Sequence, residues 1–122
     1  MSVAFKLSSD GDAINNVVAL DGDYLNRNTF GDYSLRNEII GLFLAQLDGS
    51  KKLFGTTIDQ TSWQFTAHTL KGAAVAVGAR QIIVLAEEWE RTPVPNNQAK
   101  RDYCLFQLEN CIAAFKAAAN RL

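Results

Sequence analysis

WQFTAHTLKGAAVAVGAR, residues 63–80, contains the single histidine of the chain, His68, with Lys71 and Gly72 one helical turn beyond it. Trp63, Ala67, Leu70, Ala74 and Val77 recur at alternating steps of four and three, the spacing of a core-facing helical stripe. Asp59 is placed to cap the start of this helix, while Gly78-Ala79 can close or bend its far end without forcing a stop. At about 100° per residue the stripe centres near Leu70, and His68 lies roughly 150° away, on the solvent side. The outer face it shares with Gln64, Phe65, Gly72, Val75, Ala76 and Ala79 carries one long charged side chain, Lys71. A small, mostly apolar apron around a protruding imidazole reads as a docking surface.

The run His68-Thr69-Leu70-Lys71-Gly72-Ala73-Ala74, followed by Gly78-Ala79, resembles the signature of the histidine-containing phosphotransfer (HPt) domains, of the stand-alone bacterial type. The resemblance implies an antiparallel four-helix bundle that relays phosphoryl groups. His68 would accept phosphate from a receiver-domain aspartate and pass it to another, with Lys71 offsetting phosphoryl charge and Gln64 hydrogen-bonding the phosphoryl group or the imidazole. Gly72 would leave room for the partner, and Phe65, Val75 and Ala79 would meet its apolar side chains. For Phe65, packing on a neighbouring helix is an equal alternative. Ala73 and Ala74 fit close helix packing better than phosphate contact. The implied partners are response-regulator receiver domains, with a hybrid histidine kinase as a further candidate. Mg²⁺ is expected on the receiver, and no cofactor or metal on this chain.

An imidazole suits such a relay because it is nucleophilic near neutral pH and forms a labile N–P bond. The sequence holds no P-loop and no kinase Gly-rich loop, so phosphorylation from ATP by this chain is not expected. Two other function classes compete. A docking module that only binds or sequesters receivers has no need of an imidazole. An enzyme using His68 as general base needs a second titratable group and a concave pocket, and one His with one Lys on a convex helix supplies neither.

The remaining composition sets bounds. One hundred and twenty-two residues suggest a single domain spanning 1–122. Twelve basic against thirteen acidic residues leave no polycationic footprint for nucleic acid. No apolar run is long enough to span a bilayer and no signal-peptide core is visible, so a cytoplasmic protein is expected, and the small-domain composition favours a monomer. Cys104 and Cys111 share one helix face but sit about 10 Å apart along the axis, too far for a disulfide. They read as buried thiols, and with one histidine they make no zinc site.

Around the His68 helix, the pattern predicts an all-α chain with a short additional N-terminal helix. Residues 1–20 form a less regular arm: an apolar start from Val3 to Leu7, a turn over Ser8–Asp12, and an Ile14–Leu20 run that is either strand-like or helical. A short helix is predicted over Asp21–Arg27, capped by Asp21 or Asp23, with Tyr24 and Leu25 inward. A long helix follows from Ser34 to about Phe54, on Leu35, Ile39, Ile40, Phe43, Leu44 and Leu47, with Gly49 able to weaken its end. Leu42 widens that stripe, either because the helix is buried on two sides or because it borders the His68 apron. Gly55–Ile58 reads as a loop. A further helix is predicted from Arg80 or Gln81 to Arg91, with Ile82, Ile83, Leu85, Ala86 and Trp89 available to the core; Pro93 and Pro95 end it. The last helix runs from about Gln98 to Ala119, with Tyr103, Phe106, Ile112 and Phe115 among its apolar positions.

Overall fold

The computed structural model describes residue 14 and residues 16–122, and among them every regular element is helical. Five helices are described: α1 (Gly22–Asn28), α2 (Tyr33–Thr56), α3 (Gln60–Val77), α4 (Arg80–Arg91) and α5 (Gln98–Asn120). The expected apolar start at Val3–Leu7 and the turn at Ser8–Asp12 lie outside the described residues.

Four of the five helices start on an Asp or Asn whose side chain accepts a first-turn backbone N–H: Asp21, Asp32, Asp59 and Asn97. Each satisfies one donor that the helix cannot pair internally. α2 runs two residues past its expected end and is continuous through Gly49. Its late carbonyls find partners elsewhere, which lets the last turn persist. The buried Arg101 guanidinium on α5 donates to the Phe54 carbonyl at 2.6 Å, and Thr57 N–H donates to Leu53.

The turn near Gly78, open on the sequence, is a left-handed helix stop. Gly78 has φ 74°; Ala79 N–H bonds the Ala74 carbonyl and Gly78 N–H that of Val75, a Schellman closure. A Cβ at Gly78 would sit 3.1 Å from the Asp21 carbonyl oxygen and from the Tyr24 ring, so α1 rests directly on this turn. Asp21 N–H completes the seat by donating to the Gly78 carbonyl at 2.8 Å.

The core is what the periodicities anticipate. Phe43, Leu47, Trp63, Ala67, Leu70, Ala74, Val77, Ile82, Leu85, Trp89, Ile112 and Phe115 are all buried. Phe54 meets Trp63 and Trp89 edge-on, with centroids 5.0 and 4.7 Å away, and Trp63 Nε1 donates to the Trp89 carbonyl at 3.0 Å. That bond ties the start of α3 to the end of α4, so these helices run antiparallel. At the opposite end, Phe43 of α2 packs on Phe115 of α5. Phe43 with Phe115 and Phe54 with Arg101 make α2 and α5 antiparallel as well.

Three expectations need correction. Leu42 is 65 % exposed, so α2 is not buried on two sides. Phe106 is likewise outside the core at 61 % exposure, because the buried stripe of α5 passes through Leu108, Cys111, Ile112 and Phe115. Ala79 is completely buried: the chain reverses at Gly78, which takes it off the outer face of α3 and makes it the N-cap of α4. Both cysteines are free, Cys111 buried and Cys104 partly so, and burial pushes each thiol up to about 11.

Candidate functional site

α3 presents its buried stripe inward and leaves Gln64, Phe65, His68, Gly72, Val75 and Ala76 exposed. The His68 side chain is 69 % exposed, Phe65 71 % and Val75 45 %. Gly72 has open space where a Cβ would be. Nothing inside the protein requires a glycine there, although one in a helix interior costs about 1 kcal/mol relative to alanine.

The antiparallel α3–α4 pair brings one residue of α4 against three of α3. Glu90 Oε2 lies 3.0 Å from His68 Nδ1, and Glu90 Oε1 lies 2.9 Å from Lys71 Nζ. The Gln64 side-chain amide donates to the Glu90 backbone carbonyl at 3.2 Å. Residues 64, 68 and 71 follow one another at four- and three-residue steps, so a single side of α3 meets a single residue. The carboxylate accepts only, so Nδ1 is the nitrogen that carries hydrogen. In the neutral ring Nε2 then keeps its lone pair.

The Hpt domain family matches residues 38–118, which take in all of α3 and α4 and most of α2 and α5. This chain belongs to the Hpt domain family. No curated protein and no solved structure matches it. Hpt domains act in phosphotransfer within two-component phosphorelays, where they interact with receiver domains and kinases.

Within this Hpt domain, the electrostatics of the site centre on Glu90. The Lys71 ammonium against Oε1, and after it the contact with His68, hold its carboxyl below the ordinary carboxylate value. In return the Glu90 carboxylate raises Lys71 above the ordinary lysine value. Glu90 is therefore a fixed negative charge touching the imidazole.

Sequence reasoning missed Glu90. Three glutamates stand within four positions at the end of α4, and periodicity does not choose among them. Glu88 pairs with Arg91 at 2.8 Å and Glu87 is exposed. The signal was the edge of the buried stripe of α4: with Ile82, Leu85, Ala86 and Trp89 inward, Glu90 flanks that stripe where the antiparallel neighbour passes. Gln64, expected to hydrogen-bond the phosphoryl group or the imidazole, donates to the Glu90 backbone carbonyl in this structure. Among the described residues no helix is long and apolar enough to cross a membrane, and no group of three or more His, Cys, Asp or Glu could hold a metal ion.

Proposed function

We propose that this chain is a phosphocarrier that takes a phosphoryl group onto His68 Nε2 from a receiver aspartyl phosphate and delivers it to another receiver. The observation that carries the reading is the Glu90 carboxylate at Nδ1 of a largely exposed imidazole, which leaves Nε2 as the nucleophile. In the transfer, the Nε2–P bond forms as the receiver's P–O(aspartyl) bond breaks, and the aspartate leaves as a carboxylate. The ring becomes an N-phosphoimidazolium whose Nδ1–H still donates to Glu90. That carboxylate stabilises the positive charge the ring acquires. Lys71, one turn from His68, swings from Glu90 toward the phosphoryl oxygens. Mg²⁺ on the receiver supplies the remaining charge neutralisation, as expected for the partner and not for this chain.

The docking surface is the outer side of α2 and α3. Phe65 and Val75 flank His68, Gly72 admits the partner's backbone, and the exposed Leu42 and Leu53 extend the apolar area onto α2. Leu42 and Val75 stand at about equal distance, ~23 Å, from the 57–59 turn along their helices. Ala79 has no part in this surface. The four long helices α2–α5 act as the antiparallel four-helix bundle, α1 as the short additional helix, and the unit works as a monomeric single domain of the cytoplasm.

The experiment is transfer from a panel of aspartyl-phosphorylated receivers to the wild-type chain beside His68→Gln. Acid-labile, alkali-stable label on the wild type alone supports the carrier. Binding to receivers without any label would sink it and leave a docking module. A general-base enzyme gains one requirement from Glu90, a second titratable group, but among the described residues His68 lines neither the α2–α5 groove nor the α4–α5 groove.

A further inference from the structure

Gly49 is a helix-interior glycine for which the fold has no use. α2 is continuous through it, its φ is not positive, and a Cβ at this position would meet nothing within 4 Å among the described residues. Glycine is the least favourable residue in a helix interior after proline, and neither a turn nor close packing accounts for this one. Gly41, in the same helix, has the same open surroundings. The two differ in the side of α2 on which they stand.

Phe43, Leu47, Ser50 and Phe54 mark the buried side of α2, which packs chiefly against α3 and α5. Leu44, Asp48 and Lys51 border α5, and Lys51 Nζ reaches Glu109 at 2.7 Å. At about 100° per residue, Leu42, Gly49 and Leu53 fall within about 40° of one another on the opposite edge, beside α3. Gly41 stands about 80° from Gly49, toward α5. Along the axis, Gly49 comes seven residues before the end of α2 and His68 eight residues after the start of α3. Both therefore lie about 10–12 Å from the turn that joins the two helices. Gly49 is a gap between the exposed Leu42 and Leu53, level with His68 and beside the helix that carries the exposed Phe65. The exposed neighbours Gln46, Leu53, Phe65 and Thr69 carry no charge, so the gap fits an apolar group.

On the reading of α2 and α3 as the receiver-docking surface, we propose that Gly49 is a specificity-determining position of that surface. A large apolar side chain of the receiver seats over it, between Leu42 and Leu53, when the receiver's aspartate meets His68. The missing side chain admits that group, and the two leucines flank it. Gly49 stands on a helix whose axis lies roughly 8–10 Å from that of α3, and it touches no reacting atom. It acts on receiver affinity and selection, and leaves phosphoryl transfer within the complex to His68, Lys71 and Glu90.

The test compares Gly49→Gln with Gly41→Gln and the parent chain. Each is titrated with fluorescently labelled receiver domains of the panel, and transfer is measured from the same receivers in aspartyl-phosphorylated form. Both substitutions put a better helix former at an open position, so circular dichroism and urea unfolding should show folds at least as stable as the parent. Gly49→Gln should raise Kd and KM at least tenfold and leave the transfer rate at saturating receiver within twofold. Gly41→Gln should leave all three within twofold. A Kd within twofold of the parent for Gly49→Gln overturns the proposal, and so does an equal loss in Gly41→Gln. The carrier reading is judged on the parent alone: receivers that bind but transfer no label sink it, while the ratio of Kd values still decides the role of Gly49. If no receiver either binds the parent or labels it, both fall.

Discussion

Replacing Glu90 by glutamine removes the charge beside His68 while keeping nearly the same shape. The side-chain amide oxygen can still accept from Nδ1–H, so the tautomer is retained and only the electrostatic contribution is lost. When Nε2 takes up phosphate, the ring gains a unit charge about 3.0 Å from Glu90 Oε2. Two unit charges at that separation attract by about 1.4 kcal/mol in water and by several times more in a low-dielectric interior. The imidazole is 69 % exposed, which places the pair near the aqueous limit. Spreading the positive charge over both ring nitrogens trims the attraction, to on the order of 1 kcal/mol. Phosphotransfer to His68 should then slow about five- to tenfold in Glu90→Gln. The same substitution frees Lys71 from its 2.9 Å ion pair, which opposes the loss by offering the ammonium to the phosphoryl group. Rapid-quench transfer from one phosphorylated receiver, measured on Glu90→Gln, Lys71→Ala and the double variant, separates the two effects. In the Lys71→Ala background the Glu90 effect should stand alone at its full size. A rate within twofold of the parent in that background would refute the claim that Glu90 stabilises the charged ring.

Three further outcomes follow from the same structure. Gly72→Ala should stabilise the fold by about 0.5–1 kcal/mol in urea unfolding, because the Cβ enters open space and helix propensity improves; Gly72→Leu should fold equally well yet cut transfer from receivers more than tenfold, and undiminished transfer would remove the access role of this glycine. Gly78→Ala should cost about 2–3 kcal/mol, combining left-handed backbone strain with a Cβ 3.1 Å from the Asp21 carbonyl, and a loss below 1 kcal/mol would show that α1 does not bear on this turn. The Glu90 carboxyl, followed by carbon-13 NMR, should titrate below its ordinary 4.5, and Lys71→Ala should move the midpoint back upward. Because the folded value is the lower one, the stabilisation from this pairing is present above about pH 4.5 and disappears as pH falls through the folded midpoint. A midpoint at or above 4.5 would contradict the Lys71–Glu90–His68 arrangement.

Much of this protein is local and therefore readable along the chain. Trp63, Ala67, Leu70, Ala74 and Val77 define the buried side of α3 by spacing alone, and that same spacing sets His68 outward. Asp21 and Asp59 mark helix starts because a side-chain oxygen satisfies a backbone donor a few residues on. Pro93 and Pro95 mark a stop because proline cannot donate. The family motif from His68 to Ala74 also lies within a single helix. What depended on tertiary structure lies where two distant segments meet. Glu90 joins His68 across 22 positions, and only antiparallel packing of α3 on α4 selects it over Glu87 and Glu88. Arg101 extends α2 by pairing with the Phe54 carbonyl 47 positions away, a partner that no reading of α2 by itself contains. Ala79 shares the helical spacing of the exposed face, yet it is buried because the left-handed turn at Gly78 ends that spacing one residue earlier. Periodicity specifies a face only while the helix continues; where it stops, and what crosses it, is decided by the packing of the other helices.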